Sequence, residues 1–301
     1  MLLITVAAVS DDTPQADPDK DPEIADMLKD ARQQIANKKP ASAIESCDKV
    51  MAAFKARYGN GHQKIYCACT QAECLGYLLK ASLDQTNAIV PSSNMPSASP
   101  GKTNTILRSS NRLTISFDKT NGIVLSSNML TANPGETSEI LLSTDALTGS
   151  LGNKNAIVLS SKWANAYFLK GYALQDLRHI AEAKSNIELA LELSPCNSQY
   201  LSELGAIFEL EKNWPKAKQQ FESAEDNAAL APEKTRADEL GRARRGLAYV
   251  FVELGKLDEA EKKYQQCLAT DPNDKRAKRE LKYVQGLRAK DKSPSRGVTK
   301  P

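Results

Sequence analysis

Small and bulky apolar residues recur in the C-terminal half of the chain with a step of 34 residues. The first two copies consist of Gly171, Ala183, Ile187, Ala190 and Pro195, followed by Gly205, Ala217, Phe221 and Ala224. The same internal spacing returns, after nine extra residues, at Ala248, Ala260, Tyr264, Cys267 and Pro272. Small residues let two antiparallel helices approach closely, and the bulky residue fills the space between them. The pattern therefore predicts three stacked helical hairpins.

Helix-boundary residues agree with this interpretation. Ser161 can cap a helix over 162–177, and a second helix over 180–193 ends before Pro195. Asn213 and Pro215 end one helix and begin the next. Further helices are predicted over 232–254, with Gly255 in the following turn, and over 275–290 as a charged cap.

The segment 21–86 repeats part of this pattern more weakly. Ala31, Ala43, Cys47 and Val50 have the same spacing, which predicts a degenerate fourth hairpin. Thr70 and Glu73 form a capping box that starts a helix over 71–82. We expect this helix to pack between the degenerate hairpin and the helix that contains Trp163.

A different repeat fills 87–154. Its 17-residue units begin at Asn87, Asn104, Asn121 and Ser138, and a fifth copy, NAIVLSSKW, runs from Asn155 into the first solenoid helix. Each unit has one short β-prone run within a segment rich in Ser, Thr, Asn, Gly and Pro. We expect an exposed, largely irregular insert. Short hairpins, a stack of β rungs, or an adhesive or modified surface are the alternatives.

The 34-residue pattern of small and bulky apolar residues, which we call the ladder, resembles that of the tetratricopeptide repeat (TPR) family, in particular exported bacterial members. The resemblance implies an all-α fold, a TPR-type helical-hairpin solenoid interrupted by the Ser/Thr/Asn-rich insert, which is irregular or weakly β. Its TPR domain would cover 155–290, with about three repeats and a capping helix. Lys170 and Ala229 depart from the family pattern, which favours Leu and Pro there.

The resemblance also implies a binding groove on the concave face, lined by the first helix of each repeat. The implied peptide-binding residues are Asn165, Phe168, Tyr172, Gln175, Gln199, Arg242, Arg245 and Tyr249, with Ser202, Glu209 and Val252 beside them. Aromatic side chains beside arginines suit a protein or peptide with acidic groups. Packing between helices is the alternative role for Phe168, Tyr172 and Tyr249. Phe168 and Tyr172 also stand where some relatives place the Lys and Asn that clamp a C-terminal carboxylate, so that clamp is not expected.

The predicted function is a non-enzymatic protein–protein interaction scaffold. The alternative is a structural or assembly module of a larger envelope complex, or the helical appendage of an enzyme system. A net charge of +3 is too small to indicate nucleic-acid binding. His62 and His179 lie in predicted turns, and the chain has no nucleophile-elbow, metalloprotease or dinucleotide motif. We therefore expect no catalytic residues, metal or cofactor.

The two ends of the chain differ in charge. The first 30 residues hold eight acidic and two basic residues, whereas 275–301 hold ten basic and two acidic ones. The start, MLLITVAAVSDD, is apolar but far too short to span a membrane. We expect 1–20 to be a signal remnant or a disordered tail, and 291–301 a basic disordered tail. Export, to the periplasm if the source is bacterial, is the preferred location, with the cytoplasm as the alternative.

Export would place six cysteines in an oxidising compartment. The preferred hypothesis is a disulfide between Cys47, on a helix, and Cys67, in the extended segment before Thr70. Cys69 is an alternative partner. Ordinary buried thiols and a zinc site are the other interpretations, although the CxC and CxxxxC spacings lack a second CxxC pair.

Overall fold

A computed structural model describes residues 17–86, 114–117, 123–126 and 156–291. Most of the predicted N-terminal tail, most of the tandem-repeat insert and nearly all of the basic C-terminal tail lie outside these described residues.

The described chain is predominantly helical, as predicted. Its helices are α1 (Pro22–Ala36), α2 (Pro40–Tyr58), α3 (Gln71–Thr86), α4 (Lys162–Asp176), α5 (Ile180–Leu193), α6 (Ser198–Leu210), α7 (Trp214–Asn227), α8 (Glu233–Glu253), α9 (Leu257–Thr270) and α10 (Lys275–Asp291). A 3₁₀ turn, Ala228–Leu230, joins α7 to α8. The helices α1/α2, α4/α5, α6/α7 and α8/α9 pack as four successive hairpins, and α10 packs on α9.

The turn inside each hairpin has the same backbone conformation. Lys38, Arg178, Lys212 and Gly255 all have positive φ, between 54° and 71°. Each residue lies two positions after the end of a first helix, where a left-handed residue reverses the chain. Of the four residues, only Gly255 is of a type that favours positive φ. The other three turns could be predicted from the repeat spacing but not from the residue type.

Side chains cap several helix starts, although Ser161, before α4, makes no side-chain capping hydrogen bond. The Asn197 side chain accepts a hydrogen bond from the Tyr200 N–H at 3.1 Å, and Asn213 accepts from the Lys216 N–H at 3.3 Å. The Thr70 hydroxyl accepts from the Glu73 N–H at 3.1 Å, as the capping box requires.

Glycines on the first helix of a hairpin allow close approach to the bulky apolar residue of the second helix. A Cβ at Gly171 would lie 2.8 Å from Ile187 Cγ1, and one at Gly205 would lie 2.9 Å from Phe221 Cζ. A Cβ at Gly246, on the first helix of the next hairpin, would lie even closer to the same ring, 2.3 Å from Cε1. The Phe221 ring is therefore held between glycines of two successive hairpins.

The core consists mainly of two large apolar clusters. The first joins α1, α2 and α4, where Phe54 stacks on Trp163 with ring centroids 5.5 Å apart. The second runs through the remaining hairpins and includes Phe221, Tyr264 and Val284. Together they form the apolar seam that a stack of helical hairpins requires.

A small parallel sheet packs beside the helical stack. Strand β1 (Lys64–Ala68) pairs with β4 (Ala156–Ser160), which immediately precedes α4, in a register that places Lys64 opposite Ala156. Within the insert, β2 (Thr114–Phe117) and β3 (Ile123–Ser126) form a separate antiparallel pair. Strands β2 and β3 agree with the weakly β interpretation of the insert, and the rest of 87–154 lies outside the described residues.

The position of α3 differs from the expectation. Helix α2 packs directly on α4, whereas α3 packs on β1 and β4. Tyr77 of α3 stacks on Tyr66 of β1 with ring centroids 5.0 Å apart. The β1/β4 pair offers α3 an apolar face, so this helix does not enter the stack of hairpins.

Candidate functional site

A row of polar contacts crosses the first helices of the three C-terminal hairpins. The side-chain amide of Gln175 on α4 donates to Glu203 Oε1 on α6 at 2.9 Å, and the other carboxylate oxygen pairs with Arg242 on α8. Glu203 is only 3% exposed. We call the surface formed by α4, α6 and α8 the inner face.

The predicted aromatic residues differ in exposure. Phe168 is buried and stacks on Tyr200 with ring centroids 4.6 Å apart, so it packs α4 against α6. Tyr172 and Tyr249 are 40% and 42% exposed. The ring of Tyr249 contacts Trp214 edge-on at 6.3 Å between centroids. Two tyrosines of the inner face thus present large apolar area to solvent.

Both predicted arginines contact carboxylates of the chain itself. Arg242 pairs with Glu203, and Arg245 pairs with Asp274 at the start of α10. The Arg242 side chain remains 38% exposed, and that of Arg245 26%. Because a guanidinium has five N–H donors, Arg242 keeps donors available after this pairing.

Glu209 on α6 is the most perturbed carboxyl of the inner face. Burial raises its pKa to about 7; the Arg242 charge opposes this effect and Glu253 reinforces it. Its Oε1 is buried and has no hydrogen-bond partner within the described part of the chain. The carboxyl can therefore change protonation near neutral pH and accept a hydrogen bond from an incoming donor.

The remaining predicted residues lie on the same helices. Asn165 is half-buried on α4, whereas Gln199, near the start of α6, is exposed. The Gln199 backbone N–H donates to the Glu239 carboxylate of α8. Ser202 is fully buried, and its hydroxyl has no partner among the described residues. Every predicted groove residue thus lies on α4, α6 or α8, but Phe168 and Ser202 are buried. Whether the others contact a partner stays a prediction.

The two cysteines of the predicted disulfide are thiols in the structure. Cys47 on α2 and Cys67 on β1 are both buried in the first apolar cluster, and they are not bonded to each other. Burial raises the pKa of each thiol to about 12. The location on a helix and a neighbouring strand agrees with the expectation, and the bridge itself stays a prediction.

Sequence reasoning missed three residues that organise this surface: Glu203, Trp214 and Asp274. None belongs to the repeated ladder or to a recognisable motif. A buried carboxylate at Glu203 could not be anticipated, because its partners Gln175 and Arg242 lie 28 and 39 residues away along the chain.

Within the described ranges, no group of three or more His, Cys, Asp or Glu residues is arranged to hold a metal ion. A separate search of the same residues finds no helix that is long and apolar enough to span a membrane.

A sequence model of the tetratricopeptide repeat matches residues 164–196 and 246–274. The chain therefore contains tetratricopeptide repeats. The first matched segment covers α4, α5 and the start of the next turn, and the second covers the end of α8 and all of α9. No curated protein matches the chain. This fold generally serves protein recognition, so the repeats support a protein–protein interaction module.

Solved structures of other TPR proteins are similar to this chain. The first TPR domain of Spaghetti, bound to an HSP90 peptide, is 22% identical, covers 43% of this chain and 96% of its own, and has a TM-score of 0.38. The N-terminal domain of stress-induced protein-1 from C. elegans is 20% identical over 42% and 96%, with a TM-score of 0.36. A TPR protein of Thermus thermophilus is 14% identical over 88% and 100%, also with a TM-score of 0.36.

Proposed function

We propose that this TPR protein is a non-enzymatic scaffold that binds an extended or helical segment of a partner protein on its inner face. The observation that carries the proposal is the exposure of Tyr172 and Tyr249, 40% and 42%, on the first helices of two hairpins. Tyrosines supply large contact area at low entropic cost, and they are enriched among residues that dominate binding energy.

The polar row between the tyrosines supports the same proposal. Gln175, Glu203 and Arg242 are already held by one another, so the partner meets a preorganised surface. The guanidinium N–H groups that Arg242 does not use for Glu203 can pair with a carboxylate of the partner. We therefore still expect acidic groups in the partner. The unpartnered Glu209 oxygen offers a place for a hydrogen-bond donor of the partner.

Charge reversal of the arginines would test this proposal poorly, because Arg242 and Arg245 both stabilise the protein through contacts with its own carboxylates. Replacing both tyrosines, Tyr172→Ala with Tyr249→Ala, removes exposed contact area without breaking these pairs. Tyr283→Ala is a matched control, since Tyr283 is 57% exposed on α10, outside the inner face.

The experiment is affinity capture of partners from a lysate of the source cells on the immobilised full chain. We expect the double tyrosine variant to lose partner recovery by about tenfold or more, the size of effect typical of dominant interface residues. The Tyr283→Ala variant should recover partners as the unaltered chain does. Equal recovery by the double variant and the unaltered chain would show that binding does not use the inner face.

A further inference from the structure

Strand β1 has one edge that β4 does not cover. In the described chain, β1 and β4 form a two-stranded sheet. The Cys67 carbonyl accepts a hydrogen bond from the Ser194 hydroxyl at 2.6 Å, so it points away from β4. Main-chain groups two residues apart in a strand point the same way, and therefore the N–H and C=O of Ile65 also face away from β4. On the other strand, the Ser160 N–H bonds to Asp19, which agrees with this alternation.

This open edge lies in a cleft of about 590 Å³ between the C-terminal ends of α2 and α5. The cleft is lined by residues 63–66, which include the first three residues of β1, and its apolar walls are Tyr58, Trp163, Leu191, Leu193 and Pro195. Trp163 is 7% exposed, and its indole N–H has no acceptor among the described residues. A strand edge that has no neighbouring strand and lies beside apolar walls is the geometry that strand addition uses.

The chain itself contains candidate strands for this edge. The opposite edge of β1 is already paired with AIVLS, residues 156–160, which belong to the fifth copy of the 17-residue unit. The other copies have AIVPS, TILRS, GIVLS and EILLS at the same place. The third, residues 122–126, is identical to β4 at four of five positions, and its last four residues form strand β3.

The sequences of the other three copies fit a strand of this kind less well. Pro91 lacks the N–H that a ladder needs, Arg108 replaces the apolar Leu159 of β4, and Glu139 replaces its small Ala156. Within one molecule, β3 pairs with β2 in a sheet separate from that of β1. In this arrangement the strand of the third copy leaves the open edge of its own molecule unoccupied, so we assign the edge to a second molecule.

We propose that the open edge of β1 is a strand-addition site for the GIVLS strand of the third repeat unit, supplied by a second copy of this chain. The added strand pairs with the N–H and C=O of Ile65. Its aliphatic side chains enter the cleft beside Trp163. Because each molecule contains both the strand and the acceptor edge, the association joins like molecules.

The probe is the synthetic peptide NGIVLSSNMLTANPGET, residues 121–137, added to the full chain that contains the substitution Trp214→Phe. That substitution leaves Trp163 as the single tryptophan, so its fluorescence reports on the cleft. We expect a saturable change in emission, and no change with a peptide of the same composition in scrambled order. A peptide with proline at Val124 should also fail, because it cannot complete the ladder.

Hydrogen exchange provides the second measurement, on the unaltered protein. The Ile65 amide should exchange at least about tenfold more slowly with saturating peptide, because exchange then requires the added strand to open. The exchange rate of the Tyr66 amide should change little, since the alternation places this amide toward β4.

Light scattering should show dimers of the full chain as its concentration rises, and excess peptide should dissociate them. Equal effects of ordered and scrambled peptide, or unchanged Ile65 exchange, would overturn the proposal; peptide binding without dimers would overturn the second-copy assignment.

Discussion

The glycines on either side of the Phe221 ring allow a sharp test of how the hairpins pack. A Cβ at Gly246 would lie 2.3, 2.4 and 2.6 Å from three carbons of that ring. The ring is 3% exposed and is blocked on its other side by Gly205, so it cannot move away. Alanine in a helix is favoured over glycine by about 1 kcal/mol. Overpacking costs about 1–3 kcal/mol or more, and at these distances we expect the upper end, hence a net loss of about 2 kcal/mol for Gly246→Ala.

Gly286→Ala is the matched control. Gly286 lies in α10 with no atom near the position of a Cβ. This substitution should therefore stabilise the protein by about 0.4–1 kcal/mol, the usual gain when glycine is replaced without strain.

A double-variant cycle identifies the cause of the loss. Phe221→Ala alone should cost about 3–5 kcal/mol, but it removes the ring that Gly246→Ala would strike. In that background Gly246→Ala should become neutral or stabilising by up to about 1 kcal/mol. The assay is urea unfolding followed by circular dichroism, with hydrogen exchange to detect separate unfolding of the last hairpin. If the loss caused by Gly246→Ala is absent, or persists undiminished without the ring, the packing argument fails.

Three further predictions concern the carboxyl, the sheet and the thiols. Burial raises the folded-state pKa of Glu209 from 4.5 to about 7, so the free energy of unfolding should fall as pH rises through this window. Glu209→Gln should remove this pH dependence. After allowance for solvent screening, it should stabilise the protein at pH 8 by about 1–2 kcal/mol in urea titrations. Ser194→Ala should leave the buried Cys67 carbonyl unpaired and cost about 1–3 kcal/mol, whereas an unchanged unfolding midpoint would mean that this bond does not anchor β1. In native protein, a thiol reagent should modify the exposed Cys69 well before the buried cysteines, Cys47, Cys67, Cys74 and Cys267. Unfolding should expose six thiol groups. A count of four in protein from an oxidising compartment would instead indicate one disulfide, as the Cys47–Cys67 hypothesis requires.

The helices could be predicted because their signals are local. Small residues, caps and prolines recur within each 34-residue unit, and each hairpin buries its own ladder, so Gly171 meets Ile187 only 16 residues away. The residues that form the contact between successive hairpins were harder to predict from the sequence. The ladder indicated Ala248 as the small residue of the third hairpin, whereas Gly246 is the residue that meets Phe221 of the preceding one.

The candidate site divides in the same way. The repeat register placed Tyr172, Arg242 and Tyr249 correctly on the first helices. It could not show that Glu203 pairs with Arg242, or that Phe168 is buried while Tyr172 stays exposed. These outcomes depend on which side chains of neighbouring helices meet, and the spacing of one helix does not contain that information.

The amino-acid sequence by itself determined the helical hairpins, their order and the faces that they bury, because helix periodicity and capping act over a few residues. The tertiary structure decided the pairing of β1 with β4 across the whole insert, the position of α3 on that sheet, and the open edge of β1. Strand pairing needs only short aliphatic runs, and this chain has several nearly identical ones. Which run pairs with β1 is therefore settled by chain connection to α4 and by packing around it.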